Sequence, residues 1–406
     1  MRKAAWGLLL LFVFAIPWEY SLDLGEPIGN IARVAGLVLL VVAIPAVLQA
    51  GRVRTPGALQ WVVLAFYLWF CCTYFWTIEP VATLDKMRAN FQVMMVVWLV
   101  WEFAESPGDL RWLLRAFVAG SWVLAALTLI DFGSAEAIAV EHIRFAAYGQ
   151  DPNDVARYLD IGFPLAALLL TSERRWPARL LAAGYLPLGL VAVLLTASRG
   201  GFVAALVALA GCGVLLFRRH ARTALGAGFA LPVLAAGLWF AVPHETFARL
   251  ATIPEQIGSG DLNERMNIWS AGWHAFVQAP LLGTGAGSFV SAAGLAPIDT
   301  AHNTVLAIVV SGGLCALFLA VAIVALAVRS VFETYGSLRV ALATALLVWG
   351  ITAMVATVEE SRTTWLLMAL IALAGRLSVE DSAGLAVCFP EPERGDRFEA
   401  AAEQTA

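Results

Sequence analysis

Charge is what this chain has least of. Asp, Glu, Lys and Arg make up only 14% of its 406 residues, while 60% belong to the hydrophobic set. A soluble domain of this size carries roughly 25% charged residues, so there is too little polar surface to coat a water-soluble globule. A cysteine framework is lacking too. Cys71, Cys72, Cys212 and Cys315 lie inside apolar runs and Cys388 lies in the C-terminal tail. None has zinc-like spacing with histidine, so all five read as small apolar residues. The first apolar run, Ala4 to Ile16 behind Arg2 and Lys3, is not followed by a small-x-small cleavage site but by Pro17-Trp18-Glu19. An uncleaved first span is expected. Inverted repeats of the kind that mark many transporters are not evident.

What the chain does have is apolar runs of membrane-crossing length. A hydrocarbon core of about 30 Å needs roughly 20 apolar residues in a helix. Twelve spans are expected, at about 4–17, 31–49, 58–76, 89–104, 112–131, 153–172, 180–196, 201–217, 223–242, 303–328, 339–358 and 362–377. With the N-terminus in the cytoplasm, 17 of the 26 basic residues fall on the cytoplasmic side, as the positive-inside rule requires. The fold class is therefore an all-α polytopic membrane protein with both termini cytoplasmic. It divides into helices 1–5 (1–131), helices 6–9 with the segment before them (132–242), a large periplasmic loop (243–301), helices 10–12 (302–377) and a disordered cytoplasmic tail (378–406). Loops of that length on a tight bundle are usually functional.

Within the loop, Asp261-Leu262-Asn263-Glu264 carries a capping-box pattern, which predicts a helix start. Leu262, Met266, Trp269, Trp273 and Phe276 then recur at helical spacing, with Asn263, Asn267, Ser270 and His274 opposite. An amphipathic helix at the membrane interface is expected, with Arg265 at the border of its faces and Trp269 as an anchor. Gly283, Gly285 and Gly287 alternate in the following turn, a spacing that lets backbone amides approach an anion. His302 and Asn303 stand before the tenth span. The positive end of that helix would lower the His302 pKa and leave a neutral proton acceptor. The loop has no Asp-x-Asp pair, so spacing gives no support for a metal.

Arginines also sit where they are costly. Arg199, in Thr196-Ala197-Ser198-Arg199-Gly200-Gly201, and Arg362, in Glu359-Glu360-Ser361-Arg362, both occupy tight turns. Such residues face a polar cavity or a partner. Arg199, Arg265 and Arg362 could converge on a diphosphate. Alternatively, Arg362 pairs with Glu359 or Glu360. Asn153, behind Asp151-Pro152 at a helix start, is expected on the same side as Arg199, and Arg157 could pair with Asp154 or Asp160.

The ordered set Asp151-Pro152-Asn153, Thr196 to Gly201, Arg265 with Trp269, Pro280 with Gly283-x-Gly285-x-Gly287-x-Phe289, and His302-Asn303 resembles the O-antigen ligase and O-antigen polymerase superfamily. The resemblance covers about residues 145–375 and is closest to an O-antigen ligase. It implies a GT-C-like, metal-independent membrane glycosyltransferase of the bacterial inner membrane, needing no cofactor. The donor would be a glycan on undecaprenyl diphosphate and the acceptor a hydroxyl of lipid A–core oligosaccharide, with membrane lipids around the chain and no nucleic-acid partner. His302 would be the catalytic base, Arg199, Arg265 and Arg362 would bind the diphosphate, and Asn303, Ser198, Asn153 and Trp269 would support them. A polymerase or a protein O-oligosaccharyltransferase would use the same donor class. A bicarbonate-like solute transporter is the alternative of a different class. It should carry ionisable groups at mid-membrane, where Asp160 is the partial exception.

Overall fold

Residues 1–25, 28–134, 144–219, 237, 239, 242–258, 265–297 and 299–390 are described by a computed structural model. They form α1 (Arg2–Ala15), continued by a 3₁₀ turn (Ile16–Ser21), α2 (Ile31–Ala50), α3 (Ala58–Cys72), α4 (Pro80–Phe103), α5 (Pro107–Gly133), α6 (Pro152–Ser172), α7 (Trp176–Leu195) and α8 (Arg199–Arg219). The chain goes on through α9 (His244–Ala251), α10 (Ile253–Gly258), α11 (Arg265–Gln278), α12 (Phe289–Ala292), α13 (Thr304–Glu333), α14 (Gly336–Ala353), α15 (Arg362–Glu380) and α16 (Ser382–Cys388).

Ten helices among the described residues are long and apolar enough to cross a membrane. They coincide with ten of the twelve expected spans. The expected span 89–104 is the C-terminal part of α4, whose first turns carry Asp85, Lys86 and Arg88. The expected span 223–242 falls almost wholly outside the described residues, as does the Asp261–Glu264 capping pattern.

Local chemistry sets the helix ends. Ser106 and Asp109 form a reciprocal capping box ahead of α5. Asp151 caps α6 through the Asn153 amide, with Pro152 at the first turn, and Asn303 caps α13 through the Leu306 amide. Side-chain oxygens there satisfy amides that have no partner within the helix.

Two helices are buried on nearly every side, α6 and α15, and the other spans pack around them. A helix that is apolar all round belongs at the centre of a bundle. Small residues allow the close approach. At Gly162 of α6, a Cβ would lie 2.3 Å from Tyr185 Oη of α7, and that hydroxyl donates to the Leu159 carbonyl at 2.7 Å.

The core also encloses an ion pair between Arg362, at the start of α15, and Glu19, in the turn after α1. Gln92 accepts from the same guanidinium at 3.5 Å. The expected alternatives for Arg362, Glu359 and Glu360, are not its partners, since Glu360 pairs with Lys86. Arg157 pairs with Asp154 at 2.9 Å, not with Asp160.

α13 is broken at Gly313, whose φ is +67°. The glycine turn packs into the break. Thr284 and Gly285 donate to the Val310 and Ser311 carbonyls at 2.8 and 3.0 Å, and Leu314 donates to Pro280 at 2.8 Å. A Cβ at Gly285 would lie 2.0 Å from Thr77 Oγ1. The alternating glycines therefore make a helix-to-loop seam, and their neighbouring amides are consumed in protein contacts rather than offered to an anion.

The C-terminal segment departs from the expected disordered tail. Ser382–Cys388 is helical, Leu385 and Phe389 are buried, and Arg111 of α5 stacks over the Phe389 ring. Apolar residues every few positions, Leu385 and Phe389 among them, give this stretch something to bury; 391–406 lies outside the described residues.

Removing one member of a buried ion pair strands the other charge at a cost of about 3–5 kcal/mol. Arg362→Ala should therefore lower the yield of folded protein, read by size-exclusion chromatography in detergent. Glu19→Gln with Arg362→Met should restore it. Full folding of the single variant would show that the pair does not hold the bundle.

Candidate active site

The α7–α8 turn is three residues long. Ala197 closes it in the left-handed region, φ +47°, although it carries a Cβ and is fully buried. A non-glycine residue held there costs about 1–3 kcal/mol, so its surroundings must over-determine it. Ser198 Oγ donates to Asn153 Oδ1 at 2.8 Å and accepts from the Gly201 amide at 3.2 Å. A Cβ at Gly201 would sit 2.4 Å from Ala156 Cβ, which fixes α8 tightly against α6.

The turn leaves two backbone carbonyls facing outward. Thr196 O accepts from Arg144 Nε at 3.2 Å, and Ala197 O accepts from Arg249 Nε at 3.1 Å. Arg144 also donates to Asn153 Oδ1 at 2.9 Å. Arg199, the first residue of α8, donates to Thr252 Oγ1 at 2.7 Å and to the Arg249 carbonyl at 3.4 Å. These guanidinium groups share a cavity of about 270 Å³ with Arg265 of α11. Val203, Ile253, Ile351, Val355 and Trp269 give it an apolar wall, and no acidic side chain lines it among the described residues.

The electrostatics follow from that composition. Burial lowers the Arg265 guanidinium, Asp151 pulls it back up, and Arg199 lowers it further. Arg144 is lowered by burial, raised by Asp151, and lowered again by Arg249, Arg265 and Arg199. Arginine stays protonated regardless. Burial is the first cause in both, and repulsion between the neighbouring arginines adds to it, a component that a bound anion would relieve.

His302 stands beside this cavity, not on its wall. As expected, it stands just before the following helix; it precedes the cap residue Asn303, in a left-handed conformation with φ +44°. Its pKa is lowered from the ordinary 6.5 by burial first and by Arg265 second, against the opposing pull of Asp151, Asp299 and Asp154. The neutral imidazole arises from those causes. Asn303 donates to the Met354 carbonyl at 3.2 Å, and Thr304 Oγ1 bridges Ala356 O and the Val358 amide at 2.8 and 2.9 Å. The α14–α15 strap thereby fixes the histidine segment.

Trp269 turns inward and donates to the Ala301 carbonyl at 3.1 Å. It joins the helix that carries Arg265 to the segment that carries His302. The expected apolar stripe of α11 splits accordingly. Ile268, Gly272 and Ala275 are buried, while Met266 and Trp273 are exposed.

The fold thus brings together Asn153, Ser198, Arg199, Arg265, Trp269, His302 and Asn303. It does not bring Arg362 to them. Arg362 is consumed by Glu19 and lines a different, small cavity with Arg33 and Gln92. The expected three-arginine convergence is corrected to Arg144, Arg199, Arg249 and Arg265. Arg144 and Arg249 were legible only as basic residues on the side that the positive-inside rule depletes.

A family model described as O-Antigen ligase matches residues 184–321. The match takes in Arg199, Arg249, Arg265 and His302, while Arg144, Asn153 and Arg362 lie outside it. No curated protein matched the chain. Over those residues, in a bundle of membrane-crossing helices, the chain is similar to the O-antigen ligase family, whose members are membrane glycosyltransferase-like enzymes.

Proposed function

We propose that the chain is an O-antigen ligase that moves a glycan from undecaprenyl diphosphate to a hydroxyl of lipid A–core oligosaccharide at the periplasmic face of the inner membrane. The observation that carries this reading is the cavity where Arg144, Arg199, Arg249 and Arg265 meet an apolar wall without a lining acid. Guanidinium forks match phosphate oxygens in geometry and charge. The wall of Val203, Ile253, Ile351 and Val355 suits the first isoprene units of a polyprenyl chain.

The chemistry is a single displacement. The acceptor hydroxyl oxygen forms a bond to the anomeric carbon as the bond from that carbon to the diphosphate oxygen breaks. The electron pair leaves with undecaprenyl diphosphate, and the arginines stabilise the charge that develops there. His302, neutral because burial and Arg265 depress its pKa, takes the hydroxyl proton. Attack opposite the leaving group inverts the anomeric centre. Asn303 and Trp269 hold the histidine segment against α11 and the strap. Asn153 and Ser198 hold the turn that presents Arg199.

Loss of a general base costs about 10²–10⁴-fold and loss of an anion-stabilising donor about 10²–10³-fold. His302→Ala and Arg265→Ala should therefore abolish detectable ligated lipopolysaccharide on gels while protein abundance holds. Arg249→Ala should do the same, although its sequence position alone gave it no role. Polymer should accumulate on the lipid carrier. Normal ligation in all three variants would overturn the mechanism, and single-repeat caps in place of lipid-linked polymer would identify a polymerase.

The pH dependence has a definite sign. The neutral imidazole is the active form, so activity falls as pH drops through a His302 pKa that lies below 6.5. Arg265→Gln removes a cause of the depression and should move the acid limb of the residual rate upward in pH. An unmoved limb would show that the titrating group is not His302.

A further inference from the structure

α6 begins beside the arginine cavity and runs 21 residues to Ser172, a length of about 31 Å. The turn into α7 therefore lies at the opposite end of the bundle. Glu173, Arg174 and Arg175 make up that turn, and Arg179 stands one helical turn further along the chain. Nothing in the glycosyl-transfer reading uses these residues. The acid of the turn is already engaged. Glu173 is buried and accepts from Arg115 Nε and Nη2 at 2.7 Å each. The arginines after it are not. Arg174, Arg175 and Arg179 are exposed, and none of the three reaches a carboxylate among the described residues. Other arginines at this end do: Arg2 meets Glu102 and Glu105, Arg329 meets Glu333, and Arg376 meets Glu380. Apolar rings stand beside the unmatched charge. Trp176 and Leu180 are 71% and 60% exposed. Arg115, which holds Glu173, also stacks at 4.5 Å on Trp112 of α5, and that ring is 47% exposed next to the turn.

We propose that the α6–α7 turn binds diphosphatidylglycerol, a phospholipid with two phosphates, from the leaflet opposite the arginine cavity. Basic clusters at the ends of membrane helices attract anionic headgroups, and guanidinium forks take phosphate oxygens in pairs. The charge here lies in two places. Arg174 and Arg175 are in the turn, and Arg179 is four residues beyond Arg175, about 6 Å further along the helix axis. A single phosphate would answer one place and leave the other, whereas two phosphates on one glycerol bridge answer both. Trp176 and Trp112 are rings of the kind that collect at headgroup depth, and the exposed Leu180 gives acyl chains an apolar surface below them. A zwitterionic lipid would bring an ammonium to a cluster whose own acid, Glu173, is taken by Arg115.

The test is native mass spectrometry of the full chain in detergent, with equal concentrations of diphosphatidylglycerol, phosphatidylglycerol and phosphatidylethanolamine. One diphosphatidylglycerol should be retained with a preference of about tenfold over phosphatidylglycerol, the factor that a second charge-assisted phosphate contact supplies. Arg174→Gln and Arg179→Gln should each lower that retention about fivefold, the effect of one arginine near an anionic headgroup. Both side chains are exposed, so the variants should elute as the wild type does on size-exclusion chromatography. Arg52→Gln, which removes another exposed arginine at the same end, should leave retention unchanged. Equal retention of diphosphatidylglycerol and phosphatidylglycerol by the wild type would overturn the proposal, as would undiminished retention in the Arg174→Gln, Arg179→Gln double variant. An equal loss in Arg52→Gln would also overturn it, because the lipid would then answer to net charge and not to this turn.

Discussion

The contact on which the rest depends is between arginine and backbone carbonyl at the α7–α8 turn. Thr196 O and Ala197 O hold Arg144 and Arg249 through their Nε atoms. These carbonyls belong to the negative end of a helix, where partial charge favours a cation without being a full anion. A carboxylate in their place would bind a guanidinium strongly and then compete with any phosphate. Carbonyls hold the arginines in place without setting a full negative charge against them. The left-handed Ala197 is what allows a three-residue turn to present both carbonyls at once, and the Ser198–Asn153 bond keeps it there.

Arg362 illustrates the contrary solution within the same molecule. Its partner is a carboxylate, both groups are buried, and the pair serves the bundle. Arg362 is held by a carboxylate, whereas Arg144 and Arg249 are held by backbone carbonyls. The distinction follows from how much charge each partner cancels. It also explains how one set of crowded helices supports both a rigid core around α6 and α15 and a cavity of repelling cations a short distance away. Trp269 and the α14–α15 strap then couple that cavity to His302 through Ala301 and Asn303.

Much of this was readable from residues alone, and the failures have physical causes. Hydropathy located the spans because backbone groups in lipid must be satisfied within helices. It read Pro80–Phe103 short because the first turns of that helix carry charges and meet the glycine turn rather than lipid. The tail was taken as disordered from its composition, but Leu385 and Phe389 found a surface on α5. In the site, Arg199, Arg265 and His302 stood out through their place in an ordered set. Arg144 and Arg249 did not, because what recruits them is a backbone carbonyl, which has no sequence signature. Arg362 was given the wrong company because its partner lies 343 residues away, and only packing reveals a pair that distant. The alternating glycines suggested an anion nest, whereas their positive φ angles serve a seam with the break at Gly313.

The most direct test of the account is a structure of the chain with undecaprenyl diphosphate bound in a lipid bilayer mimic. The two phosphates should lie among Arg144, Arg199, Arg249 and Arg265, with the first isoprene units against Val203 and Val355 and the terminal phosphate, which bears the sugar in the donor, turned toward His302. A diphosphate seated instead beside Arg362, Arg33 or Lys86, with the four-arginine cavity free of it, would contradict the account.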